Sequence, residues 1–322
     1  MDSVERMMHR LEAGSATFNC SGYIGALDPF IRTNIYTSIF FERLKRKSNY
    51  IIELYNNKEQ NWEQVFYILL LRFLGTPTNT EPFVKLAHTV SFQVLRKYLS
   101  SSVSAEALLL GTSGLLDIYP KDDYTFKLWD QFLYLSQKHG IGKMSADEWN
   151  ISSNYPYNHP VLRISQAISI LSQQDFGIES IIGCKTGHDT ERLFSHEASQ
   201  YWTTHFVPTI ESADKVKRIG KAKADILAIN IVAPFQFAYG SYIDSDRLRD
   251  RALNLLESIP AERNFKVRRW SDCGLIPKSA FDSQVLIQLG DEYCLKKRCR
   301  ECPVGQQLIK SLKETCKLKE NK

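Results

Sequence analysis

Apolar residues recur every three or four positions along most of the chain. From Asn61, a residue type that caps helices, this spacing continues to Leu74, with Gln64 three residues after the cap. The same spacing marks residues 40–55, 80–90, 103–116, 124–137, 161–174 and 190–206. Strand-like alternation is scarce, and residues 226–239, which compete as a buried strand, favour helix because of their alanines and the polar start at Lys221. The pattern predicts an all-α protein, a large multi-helix globular domain with little or no sheet.

One stretch interrupts this helical pattern. Residues 144–160 are rich in Ser, Asn, Tyr and Pro and show little periodicity, which is typical of a long loop. We therefore expect a boundary there. The predicted organisation is an N-terminal helical lobe at residues 1–150, a second helical lobe at 151–290 packed on the first, and a Cys-rich basic tail at 291–322.

The amino-acid composition is typical of a globular protein. Hydrophobic residues make up 43% of the chain and charged residues 24%, which is enough apolar surface for a core without disulfides. The N-terminus lacks the apolar stretch of a signal peptide, and no apolar run approaches the roughly 20 residues of a membrane span. We expect a cytoplasmic protein with no membrane contact, and the sequence leaves its oligomeric state open.

The cysteines carry the sharpest chemical signal. Four of the seven follow residue 290, and three of these are Cys294, Cys299 and Cys302. Only two residues separate Cys299 from Cys302, so their thiolates can reach one soft cation. The pattern predicts a zinc or iron–sulfur site, with Cys316, Cys273 or a histidine as the fourth ligand. Lys296, Lys297, Arg298 and Arg300 would offset the charge of such a site. The alternative is a set of ordinary reduced cysteines that pack as small apolar groups.

Basic residues suggest a nucleic-acid partner. Five fall within nine positions around Gly220, where backbone amides and cations suit a phosphate: Lys215, Lys217, Arg218, Lys221 and Lys223. Arg268 and Arg269 lie beside Phe265 and Trp270, a combination that suits single-stranded nucleic acid. The alternative for both groups is a solvated face over the core.

Arg163 is a separate case. It lies inside the apolar helix at 161–171, so its guanidinium is expected near the buried face, where it needs carboxylate or carbonyl partners. A structural ion pair is the simpler interpretation, and contact with a ligand is the alternative.

No catalytic residue can be assigned. The metalloprotease, nucleophile-elbow, Walker and dinucleotide motifs are missing from the sequence, so whether the protein is an enzyme stays open. A nuclease- or glycosylase-like DNA-processing enzyme would need carboxylates near the basic segment, and the candidates are Asp225, Asp244, Asp246 and Glu262. Residues 215–225 are similar to half of a helix-hairpin-helix turn, but the second glycine is missing. A structural or protein-interaction scaffold is the other alternative.

Several short blocks, taken in order, resemble a bacterial family of unknown function, domain-of-unknown-function family 2851. The blocks are Glu42-Arg43-Leu44 with Lys47, Trp62-Glu63-Gln64-Val65-Phe66-Tyr67, Asn79 to Phe83, Glu106-Ala107-Leu108-Leu109, Arg163-Ile164-Ser165-Gln166, Tyr201-Trp202, Asn230 with Pro234, Tyr239-Gly240, Glu262-Arg263-Asn264, Asp282-Ser283-Gln284, and Tyr293-Cys294 with Cys299, Cys302 and Gly305. The resemblance implies a bacterial, cytoplasmic protein without an assigned activity. It also implies that family members carry an upstream, nuclease-like region with acidic and histidine motifs, and we expect this chain to start after that region.

Overall fold

The part of the chain that the structure describes is predominantly helical, as the apolar spacing predicts. The computed structural model describes residues 5, 6, 9, 12, 18, 20–58, 60–151 and 156–320, with side chains up to residue 314. Its helices are α1 Ser21–Ala26, α2 Pro29–Asn57, α3 Trp62–Leu74, α4 Thr80–Thr89, α5 Phe92–Arg96, α6 Ser102–Thr112, α7 Asp123–His139, α8 Pro160–Leu171, α9 Ile178–Gly183, α10 Gly187–Phe194, α11 Lys221–Leu227, α12 Ala233–Tyr242, α13 Asp246–Ser258, α14 Phe265–Asp272, α15 Ala280–Gln288 and α16 Pro303–Glu320. None of them, within those ranges, is long and apolar enough to cross a membrane.

Shorter elements connect these helices. Two π-helical segments, Ala228–Val232 and Leu289–Cys294, continue α11 and α15. Single 3₁₀ turns occur at Leu115–Asp117, Ala146–Glu148, Pro156–Asn158 and Gln200–Thr203. In the described ranges the only sheet has two antiparallel strands, β1 His205–Val207 and β2 Ile210–Glu211, with Val207 opposite Ile210.

The predicted helix at residues 190–206 is wrong in its second half. Helix α10 ends at Phe194, and the chain then leaves the helical conformation at Ser195. The Ser195 hydroxyl donates to the carbonyl of Ile219 at 3.0 Å, and the Ala198 amide donates to the carbonyl of Lys217 at 3.2 Å. Contacts with a later segment therefore replace the helical hydrogen bonds, and helical spacing alone does not reveal such a segment.

The chain divides into two compact units. Unit 1 consists of Met1–Asn49 and Leu253–Lys322, and unit 2 consists of Tyr50–Ala252. The sequence-based boundaries at residues 150 and 290 fall inside unit 2 and unit 1. Unit 1 is assembled from both ends of the chain, so a change of composition along the sequence does not mark its limits.

Helices buried on all sides form the centre of unit 2. In α3 every residue from Val65 to Leu71 is buried, and the Asn61 side chain caps the helix by accepting from the Gln64 amide at 3.0 Å. Helices α6 and α7 approach closely, because a Cβ at Gly111 of α6 would lie 2.1 Å from the ring of Phe132. Glycine is therefore required at that crossing.

Aromatic packing joins the two chain segments of unit 1. Phe18 stacks on Trp270 of α14, with ring centroids 3.7 Å apart and ring planes 16° apart. Phe40 of α2 packs against Phe281 of α15 with centroids 4.9 Å apart. These contacts hold residues near the N-terminus against helices from the C-terminal part of the chain.

A buried carboxylate links several elements of unit 2. Glu106 of α6 is 1% exposed and accepts hydrogen bonds from Ser165 of α8 at 2.7 Å, from Tyr124 of α7 at 2.9 Å and from the Trp202 indole at 2.9 Å. Burial raises the pKa of Glu106, and these hydrogen bonds oppose that rise. One side chain thus accepts from the buried Ser165 and Trp202 and from the half-buried Tyr124.

We expect Glu106→Ala to lower the free energy of unfolding by about 3 kcal/mol or more, because the buried Ser165 and Trp202 and the half-buried Tyr124 lose their acceptor. Glu106→Gln should cost only about 1 kcal/mol, since its oxygen can accept from Tyr124 and Trp202 while its amide donates to the Ser165 hydroxyl. Urea unfolding measures both values. The control Glu53→Ala removes an exposed carboxylate of α2. Equal losses for the Ala and Gln variants would contradict this account.

Candidate functional site

Four cysteines line one small cavity in unit 1. Cys20, Cys294, Cys299 and Cys302 surround a space of about 30 Å³. The remaining lining residues are Tyr293, Lys297, Gly305 and Leu308. The structure thus brings together the three cysteines that the sequence singled out and adds Cys20, from near the other end of the chain.

Contacts of the N-terminal segment place Cys20. The residue directly precedes α1, and the amide of Ile24 donates to its carbonyl at 3.0 Å. Two residues before it, Phe18 lies in the stack on Trp270 described above. On the other side, the Tyr23 and Ser311 hydroxyls are hydrogen-bonded at 3.2 Å, which ties α1 to α16.

The other three cysteines lie between α15 and α16. Cys294 ends the π-helical segment, a type of irregularity that is frequent at functional sites. Cys302 immediately precedes α16, where Pro303 occupies the first turn and the backbone amides of Val304 and Gly305 donate to the Cys302 sulfur. Amides that point at a sulfur stabilise a thiolate, as helix N-termini do.

Gly305 permits the tight turn at this corner. A Cβ at residue 305 would lie 1.9 Å from the carbonyl oxygen of Cys299. The first turn of α16 can therefore approach the Cys299 backbone only with glycine at this position. This approach brings the sulfurs of Cys299 and Cys302 to the same cavity.

Burial keeps most of these thiols neutral. The Cys294 thiol donates to the Cys20 sulfur, which holds the pKa of Cys20 below its usual value and raises that of Cys294. Burial raises the pKa of Cys299, and it raises that of Cys302 to about 11. A bound cation would reverse this preference, because a coordinating thiol loses its proton.

The basic residues between the cysteines are mostly paired. Lys296 donates to Glu292 at 2.6 Å, Arg298 pairs with Glu301, and Arg300 pairs with Glu5 at 3.2 Å. Lys297 lines the cavity itself, and its positive charge lowers the pKa of Cys299 against the effect of burial. Of the four predicted counter-charges, Lys297 is therefore the one next to the sulfurs.

The remaining ligand candidates lie elsewhere. Cys273 is exposed and does not line the cavity, and the Cys316 side chain falls outside the described residues. In the part of the chain that the structure describes, no group of three or more His, Cys, Asp or Glu side chains is already arranged to hold an ion. Within the cavity the Cys294 thiol donates to the Cys20 sulfur, and two backbone amides donate to the Cys302 sulfur.

A model of one protein family covers most of the chain. The family is described as "Protein of unknown function (DUF2851)", and its model matches residues 1–265. The chain belongs to the DUF2851 family. The matched DUF2851 region contains Cys20, whereas Cys294, Cys299 and Cys302 follow it. Comparisons with curated proteins and with solved structures find no significant match.

Of the predicted basic segment, Lys217 is buried and Lys223 is half-buried in this DUF2851 protein. Lys217 is 1% exposed, and its ammonium donates to the Thr203 carbonyl at 2.6 Å and to the Ser212 hydroxyl at 3.1 Å. Lys223 donates to the carbonyl of Phe73 at 2.6 Å. The ammonium groups of both lysines are thus bonded to oxygens of unit 2 rather than displayed on a basic strip.

Other members of the segment reach an open cleft of unit 2. Arg218 and Lys221 line this cleft, which has a volume of about 830 Å³, and Arg192 of α10 adds a third cation. The cleft also contains two histidines and three carboxylates: His188, His196, Asp175, Asp189 and Glu191. The Lys215 ammonium lies 6.0 Å from the centre of the Tyr157 ring.

The second basic group belongs to unit 1. Arg268 is exposed on α14, and the Arg269 guanidinium lies 5.0 Å from the centre of the Phe18 ring and 5.6 Å from that of Phe265. Arg269 thus also packs over the aromatic stack that positions the N-terminal segment.

The carboxylates named for a DNA-processing enzyme have ordinary partners. Asp225 pairs with Lys221 at 3.2 Å, and Asp244 and Asp246 both pair with Arg249. Glu262 of unit 1 accepts from the Gln284 amide. Each of the four carboxylates therefore has a polar partner within its own unit.

Proposed function

We propose that this DUF2851 protein holds one zinc ion through the thiolates of Cys20, Cys294, Cys299 and Cys302, and that the ion stabilises unit 1. The proposal is supported by the convergence of four cysteines on one cavity. Two backbone amides already point at the Cys302 sulfur. Four thiolates form the tetrahedral ligand set of structural zinc sites.

The size of the cavity favours one ion over a cluster. A space of about 30 Å³ accommodates one or two water-sized bodies. A single zinc ion fits once the thiols lose their protons and the sulfurs move inward to Zn–S distances of about 2.3 Å. A four-iron cluster, which also takes four cysteine ligands, needs more room and would require the turn before α16 to move outward.

The proposed role is structural because four protein ligands leave no open coordination position for a substrate. Metal binding would join the segment before α1 to the turn before α16, and binding free energy of this kind contributes directly to folding. Chelation should therefore destabilise unit 1 in particular.

We expect protein purified without oxygen to contain about one zinc per chain and to lack visible absorption. Cys20→Ser and Cys299→Ser should each lose most of the metal and lower the melting temperature, while Cys273→Ser, which changes an exposed cysteine outside the cavity, should do neither. Elemental analysis and thermal unfolding measure these effects.

If the protein contains iron and absorbs visible light, the four-cysteine site is retained but its occupant is iron rather than zinc. Metal-free protein after such a purification would contradict the proposal. So would a Cys20→Ser variant that binds as much metal as the wild type.

A second function is supported by the cleft of unit 2. We propose that Arg192, Arg218 and Lys221 contact the phosphates of a single-stranded nucleic acid there. The support is that three cations from two segments of the chain line one cleft. Two of the three were singled out from the sequence for this role. The acidic residues in the same cleft limit the attraction, so the binding should be weak and dependent on salt.

Fluorescence anisotropy with a labelled single-stranded oligonucleotide tests this second function. Affinity should fall with salt, and the Arg218→Gln, Lys221→Gln double variant should bind at least fivefold more weakly with a shallower salt dependence. Lys127→Gln, an exposed lysine of α7, is the matched control. Equal binding by the double variant and the control would contradict a role for the cleft.

A further inference from the structure

A second cleft of unit 1 is separate from the cysteine cavity. It has a volume of about 620 Å³, within the range of roughly 300–1,000 Å³ that is usual for small-molecule sites. Its lining comes from α1, α2, the end of α13, the loop at residues 274–279 and α15. No residue lines both this cleft and the cysteine cavity. The zinc site therefore gives this space no role.

Three side chains in this cleft can donate hydrogen bonds and have no acceptor in the protein. Arg32 and Tyr36 are four residues apart on α2, so they lie on the same face of the helix. Lys278 lines the cleft from the loop before α15. Within the described ranges, the guanidinium, the phenol hydroxyl and the ammonium form no hydrogen bond or ion pair with another residue. All three are available to an acceptor that enters the cleft.

The Tyr36 hydroxyl remains a donor at neutral pH. Burial raises the pKa of Tyr36 to about 12, with the negative charge of Asp282 adding to the rise and the positive charge of Arg32 opposing it. Asp282 also accepts from the backbone amide of Lys278 at 2.8 Å, which ties the loop to the first turn of α15. The cleft thus combines a neutral donor with two cationic ones.

Apolar groups form much of the remaining lining. Leu275, Phe281 and Leu286 are buried, whereas Ile276 is 76% exposed in the same cleft. Covering a large apolar side chain is worth about 1.5–3 kcal/mol when the burial is complete. A ligand with an apolar part would gain some of this free energy at Ile276. Apolar walls with a few convergent polar groups are the usual composition of a small-molecule site.

We propose that this cleft binds an organic carboxylate with an apolar body, of the kind found in an acylated amino acid or at the C-terminus of a peptide. The planar Arg32 guanidinium matches a carboxylate, Tyr36 can donate to the same group, and Lys278 adds positive charge. The apolar body would lie against Ile276 and Phe281.

The other charges of the cleft favour a single negative charge on the ligand. Glu257 and Asp282 also line the cleft, and their carboxylates offset the charges of Arg32 and Lys278. A phosphate monoester, which carries about −1.5 to −2 at pH 7, would be repelled by both carboxylates. A monovalent carboxylate meets less repulsion and can still use all three donors.

The competing explanation is a groove that holds only water, in which the three donors are simply solvated. The two explanations differ for ligands that lack one half of the proposed chemistry. Acetate has the carboxylate without the apolar body, and N-acetyl-leucine amide has the apolar body without the carboxylate.

The test titrates the full-length protein by calorimetry with N-acetyl-leucine, its amide, acetate and inorganic phosphate at matched ionic strength. N-acetyl-leucine should bind saturably, and the other three should bind at least tenfold more weakly. Acetyl-glycyl-glycyl-leucine in a parallel titration distinguishes the sources: tighter binding than N-acetyl-leucine favours a peptide C-terminus, and equal binding favours a small molecule.

Arg32→Gln should weaken the binding of N-acetyl-leucine at least tenfold, and Tyr36→Phe should weaken it about fivefold, the effect of one lost hydrogen bond. Lys45→Gln, which changes an exposed lysine of the same helix outside the cleft, is the matched control and should bind as the wild type does. If Arg32→Gln fails to fold, Tyr36→Phe decides the question, because it removes only the hydroxyl.

Wild-type protein that binds N-acetyl-leucine no better than its amide would overturn the inference. Binding by Tyr36→Phe that equals binding by Lys45→Gln would also overturn it. Neither result would bear on the zinc site, whose ligands and metal content are measured separately.

Discussion

Both units depend on one constraint, which is that polar groups buried between apolar helices need partners. Helices such as α3, α6 and α8 are buried almost all round, so any polar side chain on them is removed from water. Glu106 meets this requirement with three donors from three other segments, and Lys217 meets it with a carbonyl and a hydroxyl. The organisation of unit 2 follows from these pairings as much as from apolar packing.

The same constraint identifies where partners are missing. Arg163 donates to two neutral amide oxygens, and its Nε has no hydrogen-bond partner. Of the four cysteines that share the cavity of unit 1, Cys302 is buried and the other three are half-buried. The zinc ion that we propose there would be a partner for their sulfurs.

Much of the helical framework can be predicted from the sequence, because amphipathic spacing and caps are local signals. Asn61 caps α3 as expected, and residues 226–239 are helical as their alanines indicate. The failure at residues 195–206 has a tertiary cause, since Ser195 and Ala198 bond to residues 217–219. The sequence likewise does not predict which segments form unit 1, because Met1–Asn49 and Leu253–Lys322 are far apart along the chain.

The candidate site was predicted only in part for the same reason. Cys294, Cys299 and Cys302 are close in sequence, and their spacing alone marks them as candidate ligands. Cys20 carries no local signal, and tertiary contacts such as the Phe18–Trp270 stack and the Tyr23–Ser311 hydrogen bond bring it to the cavity. Lys217 and Lys223 were expected at the surface because they are charged. In the structure their ammonium groups instead donate to oxygens of unit 2.

Zinc X-ray absorption spectroscopy on the purified protein tests the central claim most directly. The account predicts a first coordination shell of four sulfurs at about 2.3 Å, reduced to three sulfurs and one lighter atom in any zinc that Cys20→Ser retains. A wild-type shell dominated by nitrogen or oxygen would contradict it. A four-sulfur shell that persists in Cys20→Ser would show that another residue, rather than Cys20, completes the site.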